Sequence, residues 1–195
     1  MTGASARRAE VALGVAALVF YAVHAASQII RGRAGEVVWI CHLGALLIGA
    51  GLLTDRALPR AIGSLWLSLG TPLWIVDLMT HGEFLPTSLL THGGGLAVAA
   101  LAAFLRGFPP GAWWKALAAG AVVQRLTRLV TEPAANVNLA FSVPPISRAS
   151  FPSYPAYYAV MLGVCAAVMF AAEWVFRRLG RGAPTRASGS SAAGV

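Results

Sequence analysis

Three histidines inside apolar segments are the residues of this sequence that most directly indicate chemistry. His24, His42 and His92 each lie in a different apolar segment, and Asp77 comes near the end of the segment before His92. Because histidine changes charge near neutral pH, a histidine beside an acid suits general acid–base catalysis. We predict that His92 acts as the general base, oriented by Asp77 or paired with His42. Thr91 completes the predicted catalytic set.

Arginines and amides indicate a second group of residues, which would bind a substrate. Arg125 and Arg128 are about one turn apart on the same helix face. The planar guanidinium suits a phosphate or carboxylate head group, and it could also stabilise an oxyanion. Asn136 and Asn138, in the loop that follows, would line a lid. The predicted substrate-binding residues are His24, Gln124, Arg125, Arg128, Asn136 and Asn138.

The elements that must position these residues read as membrane helices. The chain is 57% hydrophobic and only 11% charged, with a mean hydropathy of +0.69. A soluble protein has about a quarter of its residues charged. Six apolar segments approach the length that spans a bilayer. They run roughly 9–30, 37–53, 60–79, 87–106, 111–131 and 154–176. We therefore predict an all-α, polytopic six-transmembrane-helix bundle over 1–180 as one domain, followed by a disordered tail over 181–195.

The basic residues predict the orientation of the bundle. With the N terminus in the cytoplasm, most of them fall on the cytoplasmic side, as the positive-inside rule requires. These are Arg7, Arg8, Arg56, Arg60, Arg106, Lys115, Arg177, Arg178, Arg181 and Arg186. This pattern favours an N-in, C-in multi-pass protein, with a bacterial inner membrane as the expected location. The net charge of +8 then reflects membrane topology, and no basic face interleaved with aromatic residues indicates nucleic acid.

Alternating helix direction places the predicted site residues at one depth, in the outer half of the bundle. Ionisable groups inside a bilayer are costly and normally face the bundle interior or a water-filled cavity. A cavity that opens to the outer leaflet would meet lipid head groups and ester carbonyls. The predicted function is therefore lipid modification, by acyl transfer or ester hydrolysis, with membrane lipids as partners. The oligomeric state stays open.

Small residues predict close packing below this site. Thr91, Gly95, Ala99 and Ala102 form a small-residue face at helical spacing, which lets membrane helices approach closely. Ala45 and Gly49 form a similar pair on the second helix. Pro72 predicts a kink before Asp77.

Other classes of function use the same histidines. No cofactor is predicted, but His24, His42 and His92 could hold zinc with Asp77 as fourth ligand, and His42 with His92 could ligate haem b. A ligand-binding protein without catalysis and a small transporter are further alternatives. The absence of a GxSxG motif excludes the α/β-hydrolase arrangement. Cys41, inside an apolar run, is typical of a buried, inert thiol.

Three sequence features resemble the bacterial YwaF-like integral membrane family, whose animal relative acylates ether phospholipids. They are "ICHLGALLIGAGLLTDRALPRAIGSLWLSLGTPLWIVDLM", "FLPTSLLTHGG" and "NVNLAFSVPP", within about 37–158. The resemblance implies that His42 and His92 are the family histidines and that Asn136 or Asn138 is the family asparagine. The family pattern reads His-Leu-Cys, where this chain has His42-Leu43-Gly44. The nucleophile could then be Cys41 or Thr91, or the protein is not an acyltransferase.

Overall fold

The computed structural model describes residues 3–81 and 84–181, and this part of the chain is all-helical, with no strand. Each of the six predicted apolar segments overlaps one long helix. The helices are α1 (Gly3–Ile30), α2 (Ile40–Leu53), α3 (Ala57–His81), α4 (Pro86–Arg106), α5 (Ala112–Val130) and α6 (Tyr154–Arg181). The predicted tail lies outside the described residues, apart from Arg181 at the end of α6.

Four of the helices, α1, α3, α4 and α6, are long and apolar enough to cross a membrane. The other two differ for physical reasons. With 14 residues, α2 is about 21 Å long, which is less than the roughly 30 Å of a bilayer core. With 19 residues α5 is long enough, but it carries Lys115, Arg125 and Arg128. The structure thus supports a membrane protein, with these four helices as the candidates for spanning.

The central helix is α3, which contacts α2, α4, α5 and α6, while α1 packs on α2 and α4. Buried apolar side chains such as Ile48, Leu65 and Met169 fill the middle of the bundle. The backbones of α2 and α3 touch, since a Cβ on Gly63 would overlap the Gly44 carbonyl oxygen. This close approach is what small residues permit in membrane bundles, where burial from water supplies little driving force.

The predicted small-residue faces on α2 and α4 are confirmed. A Cβ on Gly49 would lie 2.7 Å from the Leu18 side chain of α1. On α4, a Cβ on Gly95 would lie 2.8 Å from Leu67 of α3, and Ala99 and Ala102 are fully buried. The short α2 and the glycine-rich start of α4 are therefore both held tightly between α1 and α3. Helix α3 itself runs through Pro72 without interruption.

A buried carboxylate fixes the start of α5. The two oxygens of Glu173, on α6, accept hydrogen bonds from the backbone N–H groups of Gly111 (2.8 Å) and Trp113 (2.9 Å). These are among the donors that a helix N terminus leaves without intrahelical partners, and a negative charge there also matches the helix dipole. Glu173 therefore joins α5 to α6 at the end of the bundle that holds the N terminus of α1.

Candidate functional site

The three histidines that the sequence singled out meet at one place, where α1, α2 and α4 come together. His24, His42 and His92 are all buried. The ring centroids of His24 and His42 are 4.3 Å apart, those of His42 and His92 are 5.5 Å apart, and both pairs pack edge to face. One histidine from each of three helices therefore builds a single cluster within the apolar bundle.

Hydrogen bonds determine which nitrogen of His42 carries its proton. His42 Nδ1 lies 2.9 Å from the backbone carbonyl oxygen of Glu36. A carbonyl can only accept, so Nδ1 must donate, and Nε2 of the neutral ring is left with a lone pair. His24 Nε2 lies 3.1 Å from that nitrogen and must therefore be the donor. His24 Nδ1 in turn accepts from the Thr87 hydroxyl at 3.0 Å.

His92 presents a lone pair in the same way, but that lone pair has no partner. Its Nδ1 lies 3.0 Å from the Ser88 carbonyl oxygen, so Nδ1 is the donor and Nε2 is unprotonated. The residue is only 2% exposed, and Nε2 has no hydrogen-bond partner among the described residues. The Trp74 ring stacks on the imidazole, with centroids 4.9 Å apart and planes within 3° of parallel. A buried acceptor without a partner costs about 1–3 kcal/mol, so it calls for an explanation.

A π turn places His92. The helix widens over Leu90–Gly94, where the N–H of Gly95 bonds the carbonyl oxygen of Leu90, before α-helical geometry resumes. Wide turns of this kind inside α-helices occur frequently at functional sites. The Thr91 hydroxyl contacts the Phe20 carbonyl oxygen at 3.4 Å, and a Cβ on Gly94 would lie 2.7 Å from the Phe20 ring. The turn is thus pressed against α1, which carries His24.

Cys41 completes the cluster. Its Sγ, one ring nitrogen of His42 and one of His92 all lie within 4.8 Å of one another, and all three residues are buried. A Cβ on Gly70 would overlap that of Cys41, so α3 can approach here only with a glycine. We predicted Cys41 as an inert buried thiol, and sequence reasoning left it out of every metal site. The available signal was its position next to His42 at the start of a helix.

The structure places two other predicted catalytic residues differently. Thr91 is fully buried, and its hydroxyl faces the backbone carbonyls of Phe20 and Thr87. Asp77 is exposed on α3, and the cysteine–histidine group found in the described part of the chain does not include it. The carboxylate predicted to orient His92 is replaced in that role by the Ser88 carbonyl and the Trp74 ring.

The predicted substrate-binding arginines contact the connection between α5 and α6. Arg128 Nε donates to the Ala140 carbonyl oxygen at 2.6 Å, and its guanidinium lies 5.4 Å from the Tyr154 ring centroid. The Arg125 guanidinium lies 5.1 Å from the Tyr158 ring centroid. Both arginines are exposed, and cation–π contacts of this kind tie α5 to the connection and to α6.

Asn138 ties the same connection to α2. Its amide oxygen accepts from the Ile40 N–H at 2.8 Å, and its amide nitrogen donates to the Val38 carbonyl and the Thr127 hydroxyl at 2.9 Å each. Gln124 supports this arrangement by donating to the Asn138 carbonyl oxygen at 3.1 Å. Asn138 therefore fixes the first residue of α2, two positions before His42.

Asn136 has a more local role than Asn138. Its amide oxygen accepts from the N–H groups of Phe141 and Ser142, and it lies in a left-handed backbone conformation with φ of 43°. These bonds shape the turn over 136–142 within the connection. The two predicted lid asparagines thus differ: Asn136 is half-buried, and Asn138 is buried between three elements.

Comparison with protein-family models, with curated proteins and with solved structures finds no match to this chain. The resemblance to the YwaF-like family stays a prediction.

We expect Asn138→Ala to destabilise the protein by about 2–4 kcal/mol, because it leaves the Ile40 N–H without its acceptor and removes the bonds to the Val38 carbonyl and the Thr127 hydroxyl. Asn136→Ala is the matched control and should cost about 1 kcal/mol or less, since water can replace its bonds with the exposed Ser142. Apparent unfolding temperatures in detergent compare the two variants. Equal effects would contradict the assignment of Asn138 as the anchor of α2.

Proposed function

We propose that this protein binds a transition-metal ion, zinc by ligand preference, between Cys41, His42 and His92. The observation that carries the proposal is the His92 Nε2 lone pair, which is buried and has no partner in the described part of the chain. A metal ion bound there would remove the cost of that buried, unused acceptor. His42, through Nε2, and the Cys41 thiol would supply the other two ligands, since a ring nitrogen of each histidine and the Cys41 Sγ lie within 4.8 Å of one another.

The chemistry of the three ligands favours zinc over a hard cation. Zinc takes cysteine sulfur at about 2.3 Å and histidine nitrogen at about 2.0–2.1 Å in tetrahedral geometry. Ligand atoms around one zinc then lie about 3.3–3.6 Å apart, so atoms already within 4.8 Å need only small side-chain rotations. Both histidines donate Nδ1–H to a backbone carbonyl, which is the usual way in which proteins orient a metal-binding imidazole.

Binding would require one proton to leave. The Cys41 thiol loses its proton to become a thiolate ligand. The His92 lone pair is free, and His42 Nε2 exchanges its hydrogen bond from His24 for the metal. Cys41 and His42 are the second and third residues of α2, where the positive end of the helix dipole favours a negative ligand. The edge-to-face rings, 5.5 Å apart with Cys41 beside them, favour a single ion over the haem b alternative.

Purified protein is expected to carry about one zinc ion per chain, because the buried ligand set is preformed. Cys41→Ser and His92→Ala should each weaken zinc binding by at least tenfold, since losing even an outer partner of a ligand costs about 10–100-fold. Elemental analysis and competition with a chelator measure this. Cobalt substitution should give a sulfur-to-cobalt charge-transfer band that Cys41→Ser removes.

Cys165→Ser is the control, because Cys165 is the other free cysteine and is only half-buried on α6. It should keep both the metal and the cobalt band. Protein that takes up no zinc or cobalt on reconstitution, while it stays folded, would sink the proposal. So would a Cys41→Ser variant that binds metal as the parent does.

Lipid ester hydrolysis or acyl transfer is the second candidate, and the number of ligands favours it. Catalytic zinc sites have three protein ligands and leave one position for water, which becomes nucleophilic near neutral pH. His24 Nε2 is 3.1 Å from His42 Nε2. Once the metal takes the His42 lone pair, His24 could donate Nδ1–H to the Thr87 hydroxyl and use Nε2 as the general base. The water oxygen would bond to the ester carbonyl carbon, and the alcohol would leave with a proton.

His24→Ala separates the two functions. If His24 serves the reaction, the variant keeps its metal but loses at least about 100-fold in turnover of a phospholipid ester, as for loss of a general base. Release of fatty acid from mixed phospholipid micelles measures this turnover. If His24→Ala instead releases the metal, His24 is a fourth ligand, and the closed site would contradict the hydrolytic candidate.

We further propose that all six helices cross the membrane, with both termini in the cytoplasm. Arginines concentrate at one end of the bundle, which agrees with the positive-inside rule. The 3-10 helix Ala34–Val38 before α2 adds length to the shortest segment. This topology places the metal site in the outer half of a bacterial inner membrane, where membrane lipids would reach it.

Single exposed cysteines test the topology. Ala34→Cys lies between α1 and α2, and Thr54→Cys lies between α2 and α3. A membrane-impermeant maleimide added to intact cells should label the first and not the second, and detergent should expose both. The parent chain, whose cysteines are buried or half-buried, is the background control. Labelling of Thr54→Cys in intact cells would show that the orientation is opposite to the proposed one.

A further inference from the structure

The end of the bundle opposite to the histidines carries a second polar cluster, and we infer that it binds a phosphate group. Glu10 precedes His24 by 14 residues on α1, and Arg106 follows His92 by 14 residues on α4. At 1.5 Å per helical residue, the two clusters are about 21 Å apart. This inference is independent of the metal proposal and concerns a separate site.

Most of the charges in this cluster are already paired. Glu10 is fully buried, and its carboxylate contacts Arg106 Nε at 2.6 Å and Arg7 at 3.4 Å. Arg106 also pairs with Asp55 at 2.5 Å. Arg7 donates to the Leu52 and Leu53 carbonyl oxygens at 2.9 Å each, which satisfies the C-terminal end of α2.

Arg60 has fewer partners than Arg7 and Arg106. The residue is only 7% exposed. A terminal nitrogen of its guanidinium donates a hydrogen bond to the Gly107 carbonyl oxygen at 3.1 Å. Its Nε is buried and has no hydrogen-bond partner among residues 3–81 and 84–181. A charged donor that is buried without a partner costs folding free energy. A guanidinium in this state would bind an anion, to which it can donate a charge-assisted hydrogen bond.

A cavity lies against this arginine. It has a volume of about 130 Å³, which exceeds the roughly 30 Å³ that one water occupies in the liquid. The lining includes Arg60, Arg106, Asp55 and the exposed Arg56. Ala57, the first residue of α3, also lines it, so the N-terminal end of a 25-residue helix faces the cavity. Helix N termini attract anions through their free N–H groups and their dipole.

The charge balance identifies the class of ligand. The cluster contains four arginines and two carboxylates, which leaves two positive charges in excess. These residues are Arg7, Arg56, Arg60, Arg106, Glu10 and Asp55. A guanidinium matches the oxygens of a phosphate group through two parallel hydrogen bonds, which a single halide cannot do. At the end of a membrane bundle the phosphate could belong to an anionic phospholipid or be free in solution.

The test titrates detergent-purified protein with phosphatidylglycerol, phosphatidylcholine or inorganic phosphate and follows the apparent unfolding temperature. Arg56→Gln is the main variant, because Arg56 is exposed and its loss should leave the fold intact. It should weaken phosphatidylglycerol binding about tenfold, as for one charge-assisted hydrogen bond. Arg60→Lys keeps the charge but removes Nε, and should weaken binding similarly. Arg8→Gln, an exposed arginine of the same end that does not line the cavity, is the control.

Stabilisation by phosphatidylglycerol and phosphate, reduced by Arg56→Gln and unchanged by Arg8→Gln, would support a phosphate site that accepts either source. The same result with phosphatidylglycerol alone would support a head-group site that also requires acyl chains. No stabilisation by either ligand would overturn the inference. Equal loss in Arg56→Gln and Arg8→Gln, or equal binding of phosphatidylcholine, would show general surface attraction and also overturn it. A chelator should leave the phosphate response unchanged, which keeps this test separate from that of the metal site.

Discussion

The hydrogen bond from the Ile40 N–H to the Asn138 side chain holds together the end of the molecule that carries the histidines. It joins residues 98 positions apart and satisfies the first amide of a helix that begins inside the bundle. In an apolar interior no water is available to accept a hydrogen bond from a backbone N–H, so a helix can begin there only if the protein supplies the acceptor. Because α2 begins at this point, Cys41 and His42 lie level with His24 and His92.

The two polar clusters are separated by a layer of buried apolar side chains, and this separation allows each cluster to have its own chemistry. Ile48, Leu65, Leu67 and Ala99 are all without exposed surface in that layer. In such surroundings a charge or a lone pair keeps most of its electrostatic strength, because little polarisable material screens it. The neutral, lone-pair-bearing end suits a soft cation, whereas the end with excess guanidinium suits an anion.

Apolar length and alternating direction were sufficient to predict the helices and the common level of the three histidines. Both follow from spacing alone, since a run near 20 residues sets a helix and each turn reverses the chain. The position of Cys41 beside the two histidines was missed because a thiol in an apolar run looks the same whatever its neighbours are. The close approach of α3 at Cys41, which Gly70 permits, is a tertiary feature that the sequence pattern does not show. The contacts of Arg125, Arg128 and Asn138 depend on the path of an irregular connection, which hydrophobic periodicity does not encode.

Hydrophobic periodicity alone also does not determine how many helices span the membrane. Length and hydropathy identify α1, α3, α4 and α6 directly, whereas α2 and α5 depend on how their neighbours cover them.

The line of hydrogen bonds from Thr87 through His24 and His42 to the Glu36 carbonyl oxygen has a further consequence. A carbonyl cannot donate, so the direction of this line cannot reverse. Proton conduction along a hydrogen-bonded chain requires that reversal after every passage, and these two imidazoles therefore cannot serve as a conducting path across the bundle.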